Sequence, residues 1–193
     1  MFGYLEGKLT GLTPTHTYLD VGGVGYELQL TLQTYESISG REYCRLFTHL
    51  QIREDAWVLY GFATESERSA FQKLLSVSGV GAATARILLS AIPAQQLGSI
   101  VANGDAKALE KVKGVGAKTA QRIILELKGK LPESDKELNN WQHNTKEIDT
   151  LNALLGLGVG KTIAENAIKR TKELMAGEDL SVEEWIKTAL KNL

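Results

Sequence analysis

The chain has 193 residues, 43% hydrophobic and 23% charged, ordinary proportions for a globular protein with room for two or three small domains. It contains no run of about 18 apolar residues, which excludes a membrane-spanning helix, and its single cysteine, Cys44, excludes an internal disulfide or a thiolate metal site. The net charge of −1 argues against a uniformly basic nucleic-acid binder, but residues 64–131 hold 10 Lys/Arg against 5 Asp/Glu, whereas residues 1–63 hold 4 against 7 and residues 132–193 hold 8 against 11, so a polyanion is expected to meet the middle segment.

The first 63 residues read as strands. "FGYLEGKL", "HTYLDV", "GYELQL", "CRLFTHL" and "AWVLYGF" are short runs rich in β-branched and aromatic residues. Turn signals such as Thr13-Pro14 and Gly22-Gly23 divide them. The start, "MFGYLEGKLT", lacks the basic end and apolar stretch of a leader. Five strands in this length predict a small Greek-key barrel of the OB type. The three histidines, His16, His49 and His143, are scattered, so no metal site and no cofactor is expected. A cytoplasmic location fits.

From Thr64 the period changes from two to 3.6. "ESERSAFQKLLSV" places Phe71, Leu74 and Leu75 on one helical face. "LLSVSGVGAATARILLS" at 74–90 and "LEKVKGVGAKTAQRIILELK" at 109–128 then each carry Gly-Val-Gly, a small residue and an apolar helical pattern. Between them Pro93 suits the first turn of "PAQQLGSIVA", Asn103-Gly104 ends that helix, and Asp105 can cap "AKALEKV". Leu131-Pro132 closes the unit. The polar stretch 132–146, with Leu138 and Trp141 its only sizeable apolar residues, reads as a flexible linker. A small helical bundle should follow over 147–193, with helices near 147–155, 162–175 and 181–193. "SVEE" is a capping box, with Ser181 as N-cap and Glu184 reaching back.

In a Gly-Val-Gly turn that opens a helix, glycine takes backbone angles closed to other residues and allows close approach. The first helical N–H groups lack internal partners, and with the helix dipole they form a phosphate-sized anion site. Three readings compete. A dinucleotide fingerprint needs a strand before the loop and a third glycine, but helices precede both turns and Thr84 and Thr119 occupy the third place. A Walker loop needs GxxxxGK[ST]. "GLGVGKT" at 156–162 ends correctly, but Leu155 stands where the leading glycine belongs. That stretch reads better as a turn between helices. The third reading, a tandem helix-hairpin-helix gripping both strands of a duplex, meets every constraint, against the plain alternative of two turns that merely pack.

Candidate DNA-binding residues are Ser78, Gly79, Val80, Gly81 and Arg86 around the first hairpin. Around the second they are Lys113, Gly114, Val115, Gly116, Lys118, Thr119 and Arg122. Lys118 and Arg122 are spaced i, i+4, so both can face a phosphate. Lys111, Lys113, Lys128 and Lys130 either add to that field or form a solvated basic face. The first hairpin has Ala82-Ala83 where basic residues would help, so it should bind mainly through main-chain amides.

The whole chain resembles the RuvA family, bacterial proteins that bind Holliday junctions and recruit the RuvB branch-migration motor. The likeness rests on "VGGVGYE" at 21–27, "FTHLQIREDAWVLYGF" at 47–62, the paired "GVG" hairpins and "AQQL" at 94–97. It implies an α+β multidomain protein: the barrel, the tandem helix-hairpin-helix domain and a C-terminal three-helix, UBA-like bundle. It implies a homotetramer, or an octamer on DNA, with no catalytic residues of its own. Its partners would be Holliday-junction DNA, the RuvB AAA+ ATPase and the resolvase RuvC. Glu54 and Asp55, by themselves a charged turn, become an acidic pin at the junction centre. Leu154, Leu157, Val159 and Leu190 become the motor-binding surface, with the module's own core as the competing role for Leu154 and Leu190. Two departures from the family, the missing basic residues after the first Gly-Val-Gly and Ala117 in place of one after the second, imply either a lower DNA affinity or a grip that leans on backbone contacts. The rival functions are a helix-hairpin-helix repair nuclease or glycosylase, and a general single-strand DNA binder using the barrel.

Overall fold

A computed structural model describes residues 2–131, 147, 149–174 and 181–192. Two compact units divide the chain, Met1–Ser134 and Asp135–Leu193. The expected linker at 132–146 lies outside the described residues.

In the first unit, strands β1 (Tyr4–Thr10), β2 (His16–Val21), β3 (Val24–Leu30), β4 (Tyr43–Ile52) and β5 (Trp57–Phe62) close a barrel in the order β1-β2-β3-β5-β4. All neighbours are antiparallel except β3 and β5. Alternation carries the closure: Leu5, Leu19, Leu28, Leu30 and Leu46 fill the interior, while Tyr4, Tyr18 and Tyr43 stay outside. Gly22 and Gly23, at φ 63° and 88°, form the two-residue turn between paired Val21 and Val24. Positive φ at both centres matches the strand twist.

One element was not expected. Residues Leu32–Ile38 form a helix, α1, between β3 and β4. Thr31 caps it by accepting the Thr34 N–H at 3.0 Å. Its seven residues are too few for a 3.6-residue period to show in "LQTYESI".

Five helices follow: α2 (Glu65–Leu75), α3 (Ala82–Ala91), α4 (Ala94–Ala102), α5 (Ala106–Glu110) and α6 (Ala117–Leu127). Pro93, expected in the first turn of α4, sits one place earlier as its N-cap residue. Asp105 caps α5 as expected, accepting the Ala108 N–H at 3.1 Å.

The barrel and these helices share a core. Tyr60 and Phe62 of β5 lie 4.9 and 5.0 Å, ring centre to ring centre, from Phe71 of α2. The same cluster runs on through Leu74, Leu88, Leu97, Leu109 and Ile123. A polar seam reinforces the join. Buried Glu67 of α2 accepts the hydroxyls of Thr31 and of Thr34, the latter at 2.7 Å. Burial pushes the Glu67 carboxyl above its usual range, against the pull of the two hydroxyls. The Thr34 oxygen in turn accepts the Ala63 N–H at 3.0 Å, at the crossing from β5 to α2. The hairpins therefore have a fixed orientation relative to the barrel.

In the second unit, residues 149–156 form helix α7, followed by α8 (Lys161–Leu174) and α9 (Val182–Lys191). The capping box at Ser181 and Glu184 is present, with the Ser181 N–H donating to Glu184 at 2.9 Å. Leu154, Ala164, Ala167, Ile168 and Ala189 make a small core. The stretch 156–162 is the end of α7, a turn with Gly158 at φ 86°, and the start of α8. A helix precedes it where a Walker loop requires a strand, so that reading falls.

Candidate nucleic-acid interface

The two hairpins are the same structure 35 residues apart. Gly79 and Gly114 hold φ at 87° and 90°. These angles strongly favour glycine and reverse the chain after the preceding helix. Val80 and Val115 each donate their N–H back three residues, to Val77 and Val112, both at 3.0 Å. Gly81 and Gly116 then cap α3 and α6 in extended conformation, and their carbonyls accept from Ala85 and Ala120, both at 2.9 Å.

The caps decide what each turn can do. Helices α1, α2, α5 and α9 spend their first N–H groups on Thr31, Thr64, Asp105 and Ser181 side chains. Helix α4, begun by Pro93, and the two hairpin helices have no side-chain cap; in the hairpins the cap residue is glycine. The amides of Ala83, and of Ala117 and Lys118, begin helices without an internal acceptor at exposed residues, whereas Ala82 is buried. A Cβ built on Gly81, Gly114 or Gly116 would meet nothing within 4 Å, so the approach is open. Each of the two hairpins thus presents an uncapped helix start, and both belong to one rigid unit. A polyanion with regularly spaced phosphates is the ligand class this suits.

The expected site residues sort into three groups. Ser78, Gly79, Gly81, Lys113, Gly114, Gly116 and Lys118 are exposed at the two turns, with Thr119 half-buried beside them. Lys113 and Lys118 make no ion pair among the described residues, so their charges are available. Val80 and Val115 belong elsewhere: both side chains are buried in the shared core, and both N–H groups are spent inside the turn. They shape the hairpins and offer nothing to a ligand. The arginines form the third group. Arg86 Nη1 donates to Gln29 of β3 at 2.6 Å, which ties α3 to the barrel. Arg122 Nη1 donates to the Ser78 carbonyl at 3.0 Å and the Ser78 hydroxyl at 3.2 Å. The expectation that Lys118 and Arg122 share one phosphate-facing side does not describe that nitrogen, which turns to the first hairpin.

Residues not singled out in the sequence also position this surface. Ser90 of α3 accepts the Leu32 N–H at 3.0 Å and donates to the Arg86 carbonyl at 2.8 Å. With Gln29 and Glu67 it holds the first hairpin to the barrel. No local pattern marks these residues, because their partners lie more than 30 positions away.

Glu54 and Asp55 are exposed at the tip of the β4–β5 hairpin, in a turn closed by the Arg53 N–H on the Ala56 carbonyl at 2.9 Å. Trp57 and Ile52, paired across the strands behind that tip, are 76% and 64% exposed. In the second unit Leu157 is 64% exposed and Leu190 is also exposed, while Val159 is half-buried against the core. Leu154 is fully buried in that core. It therefore leaves no side-chain surface for a partner. Among the described residues no cluster of three or more His, Cys, Asp or Glu is placed to hold a metal ion, and no helix is long and apolar enough to cross a membrane.

Three family models match the chain: the RuvA N-terminal domain over residues 1–61, a SAM-like helix-hairpin-helix tandem over 71–130 and the RuvA C-terminal domain over 148–193. Relatives match along the full length. The Holliday junction branch migration complex subunit RuvA of Flavobacterium psychrophilum is 41% identical over 196 residues, with all of both chains covered. The protein of the same description from Amoebophilus asiaticus is 42% identical, covering 99% of this chain and all of its own. That from Chromobacterium violaceum is 41% identical, covering all of this chain and 98% of its own.

Proposed function

The chain belongs to the RuvA family, and from that premise we propose that it binds four-way (Holliday) DNA junctions and holds them open for branch migration. The observation that carries the reading is the pair of uncapped glycine hairpins, alike in geometry and fixed to the barrel that bears the acidic tip. Phosphates meet the amides of Gly81 and Ala83 and of residues 116–118, and Lys113 and Lys118 add charge at the second site. This grip reads no base identity, as a protein that must act at any sequence requires. Each phosphate neutralised lowers the slope of log K against log salt by roughly 0.9.

Glu54 and Asp55 supply the selectivity. As a homotetramer the protein would bring four such tips to the crossover. Carboxylates there repel phosphates over a Debye length of about 8 Å at physiological salt. They keep separated strands apart and penalise an uninterrupted duplex lying across the centre.

The role is not enzymatic. ATP hydrolysis belongs to a AAA+ partner, RuvB, which would dock on the second unit through exposed Leu157 and Leu190. Support for this division comes from the relatives, which are described as a subunit of a branch migration complex. The resolvase RuvC is a further partner, and a DNA substrate of this kind implies a cytoplasmic location.

The test is a gel-shift comparison of a four-way junction with linear duplex and oligo-dT, for the wild type and for Glu54→Gln/Asp55→Asn. The wild type should prefer the junction, and the double variant should gain affinity for linear duplex. An unchanged preference in the variant removes the pin from the proposal. Tighter binding to oligo-dT than to the junction replaces it with a single-strand binder. Cleavage of the junction in magnesium replaces it with a nuclease.

A further inference from the structure

We propose that Arg122 is a positioning residue. It fixes the spacing of the two hairpins and acts on DNA through the first one, rather than serving as a phosphate ligand of the second. The inference rests on the functional reading above and deepens it.

Arg122 lies on α6, the helix opened by the second hairpin, yet its Nη1 bonds to Ser78 of the first. It reaches both the Ser78 carbonyl, at 3.0 Å, and the hydroxyl, at 3.2 Å, across 44 residues of sequence. A Cβ placed on the neighbouring Gly79 would come within 3.7 Å of the same nitrogen. The guanidinium thus rests on the turn it holds.

The peptide from Ser78 to Gly79 is planar and trans. Fixing the Ser78 carbonyl toward Arg122 therefore sets the Gly79 N–H on the opposite side of that peptide, two residues before the Gly81 cap. One contact does two things: it orients the first cradle, and it ties that cradle to the second. The tie is one-sided. Under the 35-residue repeat, Arg122 corresponds to Ile87 and Ser78 to Lys113, so no reciprocal strut exists. The first hairpin, which lacks basic side chains, depends most on the direction of its amides, and it is the one held.

A duplex offers phosphates at fixed separations, so two rigid cradles gain from acting together only when their spacing is right. Lysine cannot replace the strut, because its ammonium ends one bond short of the Nη1 nitrogen that reaches both Ser78 acceptors.

The experiment uses the full chain and compares wild type, Arg122→Ala, Arg122→Lys and Lys118→Ala. Junction affinity is measured across a salt series, and amide hydrogen exchange is measured without DNA. Arg122→Ala should weaken junction binding by about tenfold, the scale of a charge-assisted hydrogen bond, with the salt slope unchanged. Arg122→Lys should lose nearly as much. Lys118→Ala should flatten the slope by about 0.9, one phosphate contact. Exchange at Val80 and Ala85, whose N–H groups close the first hairpin and the first turn of α3, should quicken in both Arg122 variants. A slope loss in Arg122→Ala equal to that of Lys118→Ala, full affinity in Arg122→Lys, or unchanged exchange at Val80 each overturns the inference. A wild type without junction preference would defeat the functional reading instead. The exchange measurement, made without DNA, would still decide the strut.

Discussion

The first hairpin, residues 77–82, and the second, residues 112–117, carry the same turn with different surroundings. Their glycine angles agree within a few degrees, and their internal hydrogen bonds match. Val77 and Val80 enter the core as Val112 and Val115 do. Outside that skeleton they diverge. The first presents Ser76, Ser78 and Ala83 where the second presents Lys111, Lys113 and Lys118. The first is also bound from several sides, through Arg86 to Gln29, Ser90 to Leu32 and Arg122 to Ser78. Backbone geometry is thus set by buried valines and glycine positions, and charge is applied to it independently. On the proposed reading, one cradle would work by rigidity and the other by field.

The largest effect should come from closing the amides. Gly81→Asp/Gly116→Asp places a carboxylate at both helix caps, where Asp is preferred over Gly by a few tenths of a kcal/mol. Thermal stability should hold or rise, while junction affinity falls by about a hundredfold, roughly 2.7 kcal/mol. A double variant that binds normally would break the idea that these amides are the ligand.

The shared skeleton is tested next by Val80→Ala and Val115→Ala. Each removes buried methyl groups and should cost about 2 kcal/mol in denaturant unfolding. The two losses should agree within about 0.5 kcal/mol. A large imbalance would mean that one turn is held chiefly by its surroundings.

The smallest change sharpens the contrast in charge. Ala83→Lys installs in the first hairpin the counterpart of Lys118, at an exposed position. The salt slope should steepen by about 0.9, and junction affinity at low salt should rise several-fold. No change in slope would show that position 83 does not face a phosphate.

Much of this protein is written locally. The five strands follow from alternation, and the helices of the middle segment from period and caps. The hairpins follow from "GVG" recurring ahead of apolar helices. A third "GVG", at 158–160, shows the limit of the motif: Gly158 adopts the same positive φ, but Val159 gives its N–H to Leu154, and Lys161 pairs with Glu165 at 3.8 Å. Helix α1 is not legible in the sequence because seven residues hold too little periodicity. The roles of individual residues were less legible still. Leu154 and Leu157 look equivalent in "ALLGLGV", yet one is the module's core and the other its surface.

The sequence by itself determined the order of elements, the two glycine turns and the placing of positive charge in the middle segment, since each depends on residues within a few positions of one another. Only the tertiary structure decided that Arg86 and Arg122 bind the protein, that Lys113 and Lys118 stay free among the described residues, and that the hairpins share the barrel's core. Those outcomes depend on contacts between residues 44 and 57 positions apart, and local periodicity carries no information about which distant chain segment will lie alongside.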